Sequence, residues 1–198
     1  GKQLRGKKDL LVASGGSRVR FSRREGLLYV DRGDAVHSAN CLWFEALSDT
    51  GTLDAFAAPA DERARLFSAQ FLKPQRYATA PGYARLDLAG RLGRGPDGWD
   101  AAVAIVGREA EAALELRVTV DNRQRDVRLR ARFLGVPSAH LAHECTDVRE
   151  VVQRPGGGFV AFTLLRACGR LAVDDAVVAV PAAQCPGRIA HVFRLGPA

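Results

Sequence analysis

Apolar and polar residues alternate with a period of two along much of this 198-residue chain. Leu114, Leu116, Val118 and Val120 alternate with Glu115, Arg117 and Thr119, and Val127, Leu129, Ala131 and Phe133 with Arg128, Arg130 and Arg132. That spacing predicts two half-buried strands. The polar segment Asp121–Asp126 between them contains Asn122, a residue that tolerates turn geometry. A hairpin with Val120 opposite Val127 puts every apolar residue on one side, and a one-residue slip ruins that. Glu115 then faces Arg132, and Arg117 faces Arg130.

Further strands are expected at Arg18–Phe21 and Leu27–Val30, flanking a turn at Ser22–Gly26. Others are expected at Cys41–Leu47, Tyr83–Leu92, Asp100–Val106, Cys145–Val152, Phe159–Leu165 and Ile189–Leu195. Asp61–Leu72 reads as a short helix or as another strand. Short strands with frequent turns predict an all-β fold, a large antiparallel β-sandwich with few short helices. One domain over 1–198 accommodates the length, with 1–17 as a basic lead-in.

Composition fits a folded protein: 47% of residues are apolar and 26% charged. No apolar run reaches the length of a membrane span, and no signal peptide is visible. The net charge of +7 is concentrated in residues 1–24, which carry eight Lys or Arg against Asp9. The remainder is neutral, so nucleic acid is not the expected partner. The arginines at 123, 125, 128, 130 and 132 read first as the solvated face of a sheet. Cys41, Cys145, Cys168 and Cys185 form no CxxC pair, which points to a reducing, cytoplasmic setting without a cysteine metal site. The chain has no methionine, even at position 1, a hint that it is part of something longer.

Candidate chemistry is sparse. His140-Leu-Ala-His143-Glu144 has the order HxxHE rather than HExxH and reads as surface histidines in a loop. Arg32-Gly33-Asp34 is a short chance match. Gly156-Gly157-Gly158 lacks the Lys-Ser/Thr of a phosphate loop and reads as a turn. No serine sits in a nucleophile elbow. Asp174-Asp175, the only adjacent Asp pair, is expected in an exposed loop. Arg166 follows the buried-looking run Phe162–Leu165, where a charge must be paired or near solvent.

Three segments resemble the C-terminal β-sandwich region of glycoside hydrolase family 38, the α-mannosidases. They are LELRVTVDNRQRDVRLRARF at 114–133, FTLLRACGRLAVDDA at 162–176 and PAAQCPGRIAHVFRL at 181–195, in the family's order. Residues 15–34 resemble an earlier strand pair more faintly. Arg170 stands in place of a family Trp, and Ala172-Val173 in place of a Ser-Arg pair.

The resemblance implies a sandwich like those of galactose mutarotase-like domains. It also implies that the catalytic aspartates and a zinc or other divalent metal belong to a separate catalytic domain. No catalytic residue, metal ligand or cofactor is then expected in this chain. The expected partners are the catalytic and helical domains of a parent glycosidase, with a mannoside as ligand. By the same resemblance Arg166 is the candidate substrate-binding residue. Two rivals remain. A stand-alone carbohydrate-binding module would use Trp43, Trp99, Tyr77 or Tyr83 as platforms. A nucleic-acid binder would use the basic N-terminus and the hairpin arginines.

Overall fold

The computed structural model describes residues 8–14, 16–32, 35–36, 40–144, 150–152, 158–174 and 176–196. In chain order the strands are β1 (Leu10–Ser14), β2 (Ser17–Ser22), β3 (Leu27–Arg32), β4 (Ala35–Val36), β5 (Leu42–Ser48) and β6 (Arg65–Ser68). Then follow β7 (Leu72–Ala80), β8 (Tyr83–Leu92), β9 (Trp99–Arg108), β10 (Leu114–Asn122), β11 (Val127–Leu134) and β12 (Leu141–His143). The last are β13 (Glu150–Val152), β14 (Phe159–Ala167), β15 (Arg170–Val173), β16 (Ala176–Ala179) and β17 (Gly187–Leu195). All pairings among the described residues are antiparallel.

Two large sheets form the sandwich. One runs β12-β17-β10-β9-β8-β7, the other β13-β14-β11-β5-β6. A four-stranded sheet, β1-β2-β3-β4, packs through β1 against β8 and β9, and β15-β16 is a separate hairpin. The fold is therefore all-β, as the alternation predicts. The only helical elements among the described residues are short 3-10 turns.

The hairpin expected between 114–120 and 127–133 does not form. β10 pairs with β9 and β17, whereas β11 pairs with β5 and β14. The connection at 123–126 crosses from one sheet to the other. The inward residues are the expected ones, because side-chain direction alternates along a strand whoever its partner is. Leu116, Val118 and Val120 enter the same buried core as Leu129, Ala131 and Phe133, but from the opposite sheet. The Phe193 ring of β17 lies 5.1 Å from Phe133 and 5.2 Å from Phe162, joining the two layers. Truncating such a buried ring to Ala typically costs about 3–5 kcal/mol.

The expected cross-strand pairs fall with the hairpin. Glu115 lies opposite Arg194 and Val106, and Arg130 opposite Glu45 and Thr163. At 61–72 the chain forms β6, a 3-10 turn at Ala69–Phe71 and the first residue of β7, not an α-helix. Pro74 disguises β7 in the sequence. The strand accommodates it as a sheet edge, with a register shift between Pro74 and Arg76. β1 lies inside the stretch read as a basic lead-in.

Residues 1–7, 15, 33–34, 37–39, 145–149, 153–157, 175 and 197–198 are outside the description. So are the readings that fall on Gly33-Asp34, Cys145, Gly156-Gly157 and Asp175. Asp174 sits at the tip of the β15–β16 hairpin with a φ of 50°.

Candidate functional site

Both the arginine-rich strand and Arg166 lead to the outer face of the β13-β14-β11-β5-β6 sheet. On β11 the residues Arg128, Arg130 and Arg132 point away from the core, as alternation requires. They are not a solvated face. Arg130 is 7% exposed and Glu45, beside it on β5, 5%. The Arg130 Nε donates to Glu45 Oε1 at 2.8 Å, and Arg132 Nη1 donates to Glu45 Oε2 at 2.8 Å. Arg130 also donates from Nη1 to Glu150 on β13. Glu45 thus serves two guanidinium groups, and charge this deeply buried is tolerated only when it is paired.

Aromatic rings complete the cover. The Arg132 guanidinium lies 3.6 Å from the Phe159 ring centroid, and that of Arg128 lies 3.4 Å from Phe56. Arg128 has no ion pair among the described residues. Burial, and then the Arg130 charge, pull its guanidinium below the usual arginine range.

Arg166 stands opposite Arg128 in the ladder. Two cations side by side are unfavourable; Asp49 resolves the conflict. The Arg166 Nε donates to Asp49 Oδ2 at 2.6 Å, and the Asp49 side chain is wholly buried. Arg166 also donates to Leu53 O at 2.8 Å and to Thr52 O. Asp49 Oδ1 accepts from Gly51 N at 3.0 Å, closing a local turn. Gly51 is required there, since a Cβ would sit 2.0 Å from Ala55 O. Arg170 adds a second clamp, with its Nε on Gly51 O at 3.0 Å and its Nη2 on Asp49 O. Residues 49–57 are thereby strapped over the end of β14, bringing Phe56 beneath Arg128.

Next to this face the three family-like segments meet. Asn122 is 1% exposed. Its Oδ1 accepts from the Trp99 indole at 3.2 Å, while its Nδ2 lies 3.1 Å from Gln184 O and 3.0 Å from Cys185 O. Gln184 Oε1 accepts from Asp126 N at 2.8 Å, and Asp126 Oδ1 lies 3.4 Å from Arg170 Nη2. Asn122 and Asp126 come from the first segment, Arg170 from the second and Gln184 from the third. The resemblance in sequence thus marks one polar junction in space.

Both histidines of the HxxHE stretch were expected on the surface. His143 is instead buried in β12, with its Nε2 2.9 Å from His191 Nδ1, and it stacks on His191 at 5.0 Å. Alternation along β12 turns Leu141 and His143 inward, and the His143 ring lies 4.8 Å from Phe193 and 5.6 Å from Phe162. Leu129 pairs with Leu165 and Arg130 with Thr163, so Leu164 is an extra residue in β14. Its carbonyl accepts from His191 Nε2 at 2.5 Å. Burial lowers the His191 pKa from its usual 6.5. Among the described residues no group of three His, Cys, Asp or Glu is arranged to hold a metal.

None of the four aromatic residues considered as sugar platforms is exposed. Trp99 is 0% exposed. Trp43, Tyr77 and Tyr83 are half-buried, with the Trp43 indole donating to Asn40 O and the Tyr77 hydroxyl to Leu11 O. Glu45, Asp49, Phe56 and Gln184 were missed in the sequence. Each stands alone among loop or strand residues, and only the Gln184 stretch carried a signal, through its family-like pattern. Glu45 and Asp49 each accept from arginine side chains on this face. No helix among the described residues is long and apolar enough to cross a membrane.

No family model matches the chain, and no curated protein matches it. Solved structures do. A protein of glycosyl hydrolase family 38 from Enterococcus faecalis superposes with a TM-score of 0.70 and 16% identity, over 99% of this chain and 31% of that one. An alpha-mannosidase from Enterococcus faecalis V583 gives a TM-score of 0.60 and 14% identity, over 97% of this chain and 28% of that one. At such identities the likeness shows the fold, and the chain spans less than a third of each of these proteins.

Proposed function

We propose that this chain is the non-catalytic C-terminal β-sandwich of an α-mannosidase-like glycoside hydrolase, packing on a catalytic domain and walling its sugar cleft. The observation that carries the reading is the superposition of 99% of the chain on only 31% of a family 38 protein. The convergence of all three family-like segments on the Asn122–Arg170–Gln184 junction supports it. So does the β15–β16 hairpin, where Val173, Val177 and Val178 are 45%, 64% and 47% exposed. Clustered apolar side chains in the open mark a contact surface; the catalytic and helical domains of the parent are the partners this reading assigns to it.

The parent reaction is retaining hydrolysis of α-mannosides, which needs two carboxylates held across the glycosidic bond. Those carboxylates and a zinc or other divalent metal belong to the catalytic domain in this reading. Arg166 is the residue this reading assigns to the mannoside; its side chain is 20% exposed and its Nε donates to Asp49. A cytoplasmic setting agrees with Cys41, Cys168 and Cys185 being free thiols.

The rivals have less behind them. The four candidate platforms are buried or half-buried, against a stand-alone sugar module. Arg130, Arg132 and Arg166 are held by acids, against a nucleic-acid stripe. Immunoblot and intact-mass measurement on source cells test the proposal. It expects a species far larger than 21.3 kDa that cleaves an aryl α-mannoside and loses activity on chelation. A native species of 21.3 kDa overturns it.

A further inference from the structure

The tip of the β2–β3 turn lies against the start of β7, and a cleft of about 670 Å³ opens between them. Gly26 lets the two approach. Its φ is +70°, and a Cβ there would come within 3.3 Å of Gln70 Cα. Gly26 N donates to Ser22 O at 2.7 Å, closing the turn and presenting Arg23 and Arg24 at its tip. Lys73 and Arg94 line the same cleft. Among its apolar lining residues Phe21 and Leu72 are buried, and Phe71 is partly open.

Four cations converge here against one acid, Glu25. That carboxylate accepts from the Tyr29 hydroxyl at 2.5 Å. Arg24, Lys73 and Arg94 form no ion pair among the described residues. Like charges gathered around a concave surface raise the local potential and concentrate anions. The volume lies within the range of small-ligand sites, roughly 300–1,000 Å³.

We propose that this cleft binds a sugar bearing sulfate or phosphate esters, the oxyanions taken by Arg24, Lys73 and Arg94, with Phe71 beside the ring. Cations form short, strong hydrogen bonds to such oxyanions. The preference for a sugar over another small oxyanion rests on the glycosidase-like reading; the charge argument does not. A nucleic-acid strand fits less well, because it needs a long cationic track with successive stacking platforms. Only Phe71 is partly open here, and Arg130 and Arg132 are engaged elsewhere.

The test is a titration of the whole 198-residue chain with a labelled, heparin-derived tetrasaccharide, read by fluorescence anisotropy at low and raised salt. The charge-reversed variant R24E/K73E/R94E is compared with R117E/R125E/R188E, which changes net charge equally at exposed positions outside the cleft. The expected result is binding that weakens about tenfold or more in the cleft variant, changes little in the control and falls with salt. Circular dichroism and the thermal midpoint report folding, and R24Q/K73Q/R94Q replaces the reversed variant if that one unfolds.

Absence of binding overturns the proposal. So does equal loss in both variants, which means bulk attraction only, or equal binding of the desulfated tetrasaccharide. A labelled oligonucleotide that binds through the cleft while the tetrasaccharide does not overturns the sugar assignment. A native mass of 21.3 kDa would sink the glycosidase reading and leave this titration unchanged, so the two failures are separable.

Discussion

Arg166 and Asp49 meet at 2.6 Å, Nε to Oδ2, and the Asp49 carboxylate is sealed from solvent. The pair joins the end of β14 to residues 49–57. Removing the charge leaves a guanidinium with its strongest acceptor gone. D49N is therefore expected to destabilise the chain by about 2–4 kcal/mol, measured by urea unfolding. A loss of under about 0.5 kcal/mol would make the pair a surface ornament. In a longer enzyme the same variant separates two roles for Arg166. If Arg166 also touches the mannoside, R166K raises KM more than D49N does.

Glu45 holds Arg130 and Arg132 together on the face they share with Arg128 and Arg166. Replacing one partner of a buried ion pair costs more than the pair itself contributes. E45Q is expected to cost about 3–5 kcal/mol. R130M costs less, because Glu45 keeps Arg132. The double variant E45Q/R130M falls short of the sum by about 1–3 kcal/mol. Strict additivity in the double-mutant cycle would contradict the contact.

His191 makes stability depend on pH. Leu164 O accepts only, so His191 Nε2 carries the proton and Nδ1 accepts from His143. Burial is the main cause that lowers the folded pKa below 6.5, where the unfolded chain titrates. The unfolded state therefore takes up a proton first as pH falls. The His191 contribution is complete above pH 6.5 and is lost as pH drops toward the folded pKa. Between about pH 7 and pH 5.5, H191Q should show a flatter stability profile than the parent chain. Parallel profiles would show that His191 does not carry this dependence.

The cysteines differ in reach. Burial pushes the Cys41 thiol up to about 12, and Cys168 is buried too, whereas Cys185 is exposed. Only the thiolate reacts at appreciable rate. In a C145S background at mildly alkaline pH, native labelling is expected at Cys185 alone, and denaturant should release Cys41 and Cys168. Mass mapping of the labelled peptides checks this. Native labelling of Cys41 would contradict its burial.

Much of the fold is legible in the amino-acid order. Tyr83–Leu92 was expected as a strand and is one. The expected strands at Arg18–Phe21 and Leu27–Val30 are β2 and β3, registered Arg20 to Tyr29. β7 was not legible, because Pro74 argues against a strand except at a sheet edge, and edges are not marked in a sequence. The burial of His143 is not legible in the sequence, because the rings that cover it, Phe162, His191 and Phe193, come from strands far along the chain.

The candidate face divides the same way. Arg166 stood out, since a cation ending an apolar run needs a partner. That partner, Asp49, lies 117 positions away.

What the amino-acid order determined by itself is the direction of each side chain along each strand. A period of two is a local property of extended backbone, so Val118 and Leu129 point inward under any pairing. Which strands pair is decided only in three dimensions. A hairpin of 114–120 with 127–133 satisfies the same alternation as two strands facing across the core, and the closed sandwich selects the second. The role of the arginines follows from that choice. With β11 between β5 and β14, Arg130 and Arg132 reach Glu45 and become a buried ionic seam, where the alternation alone predicted a wet surface.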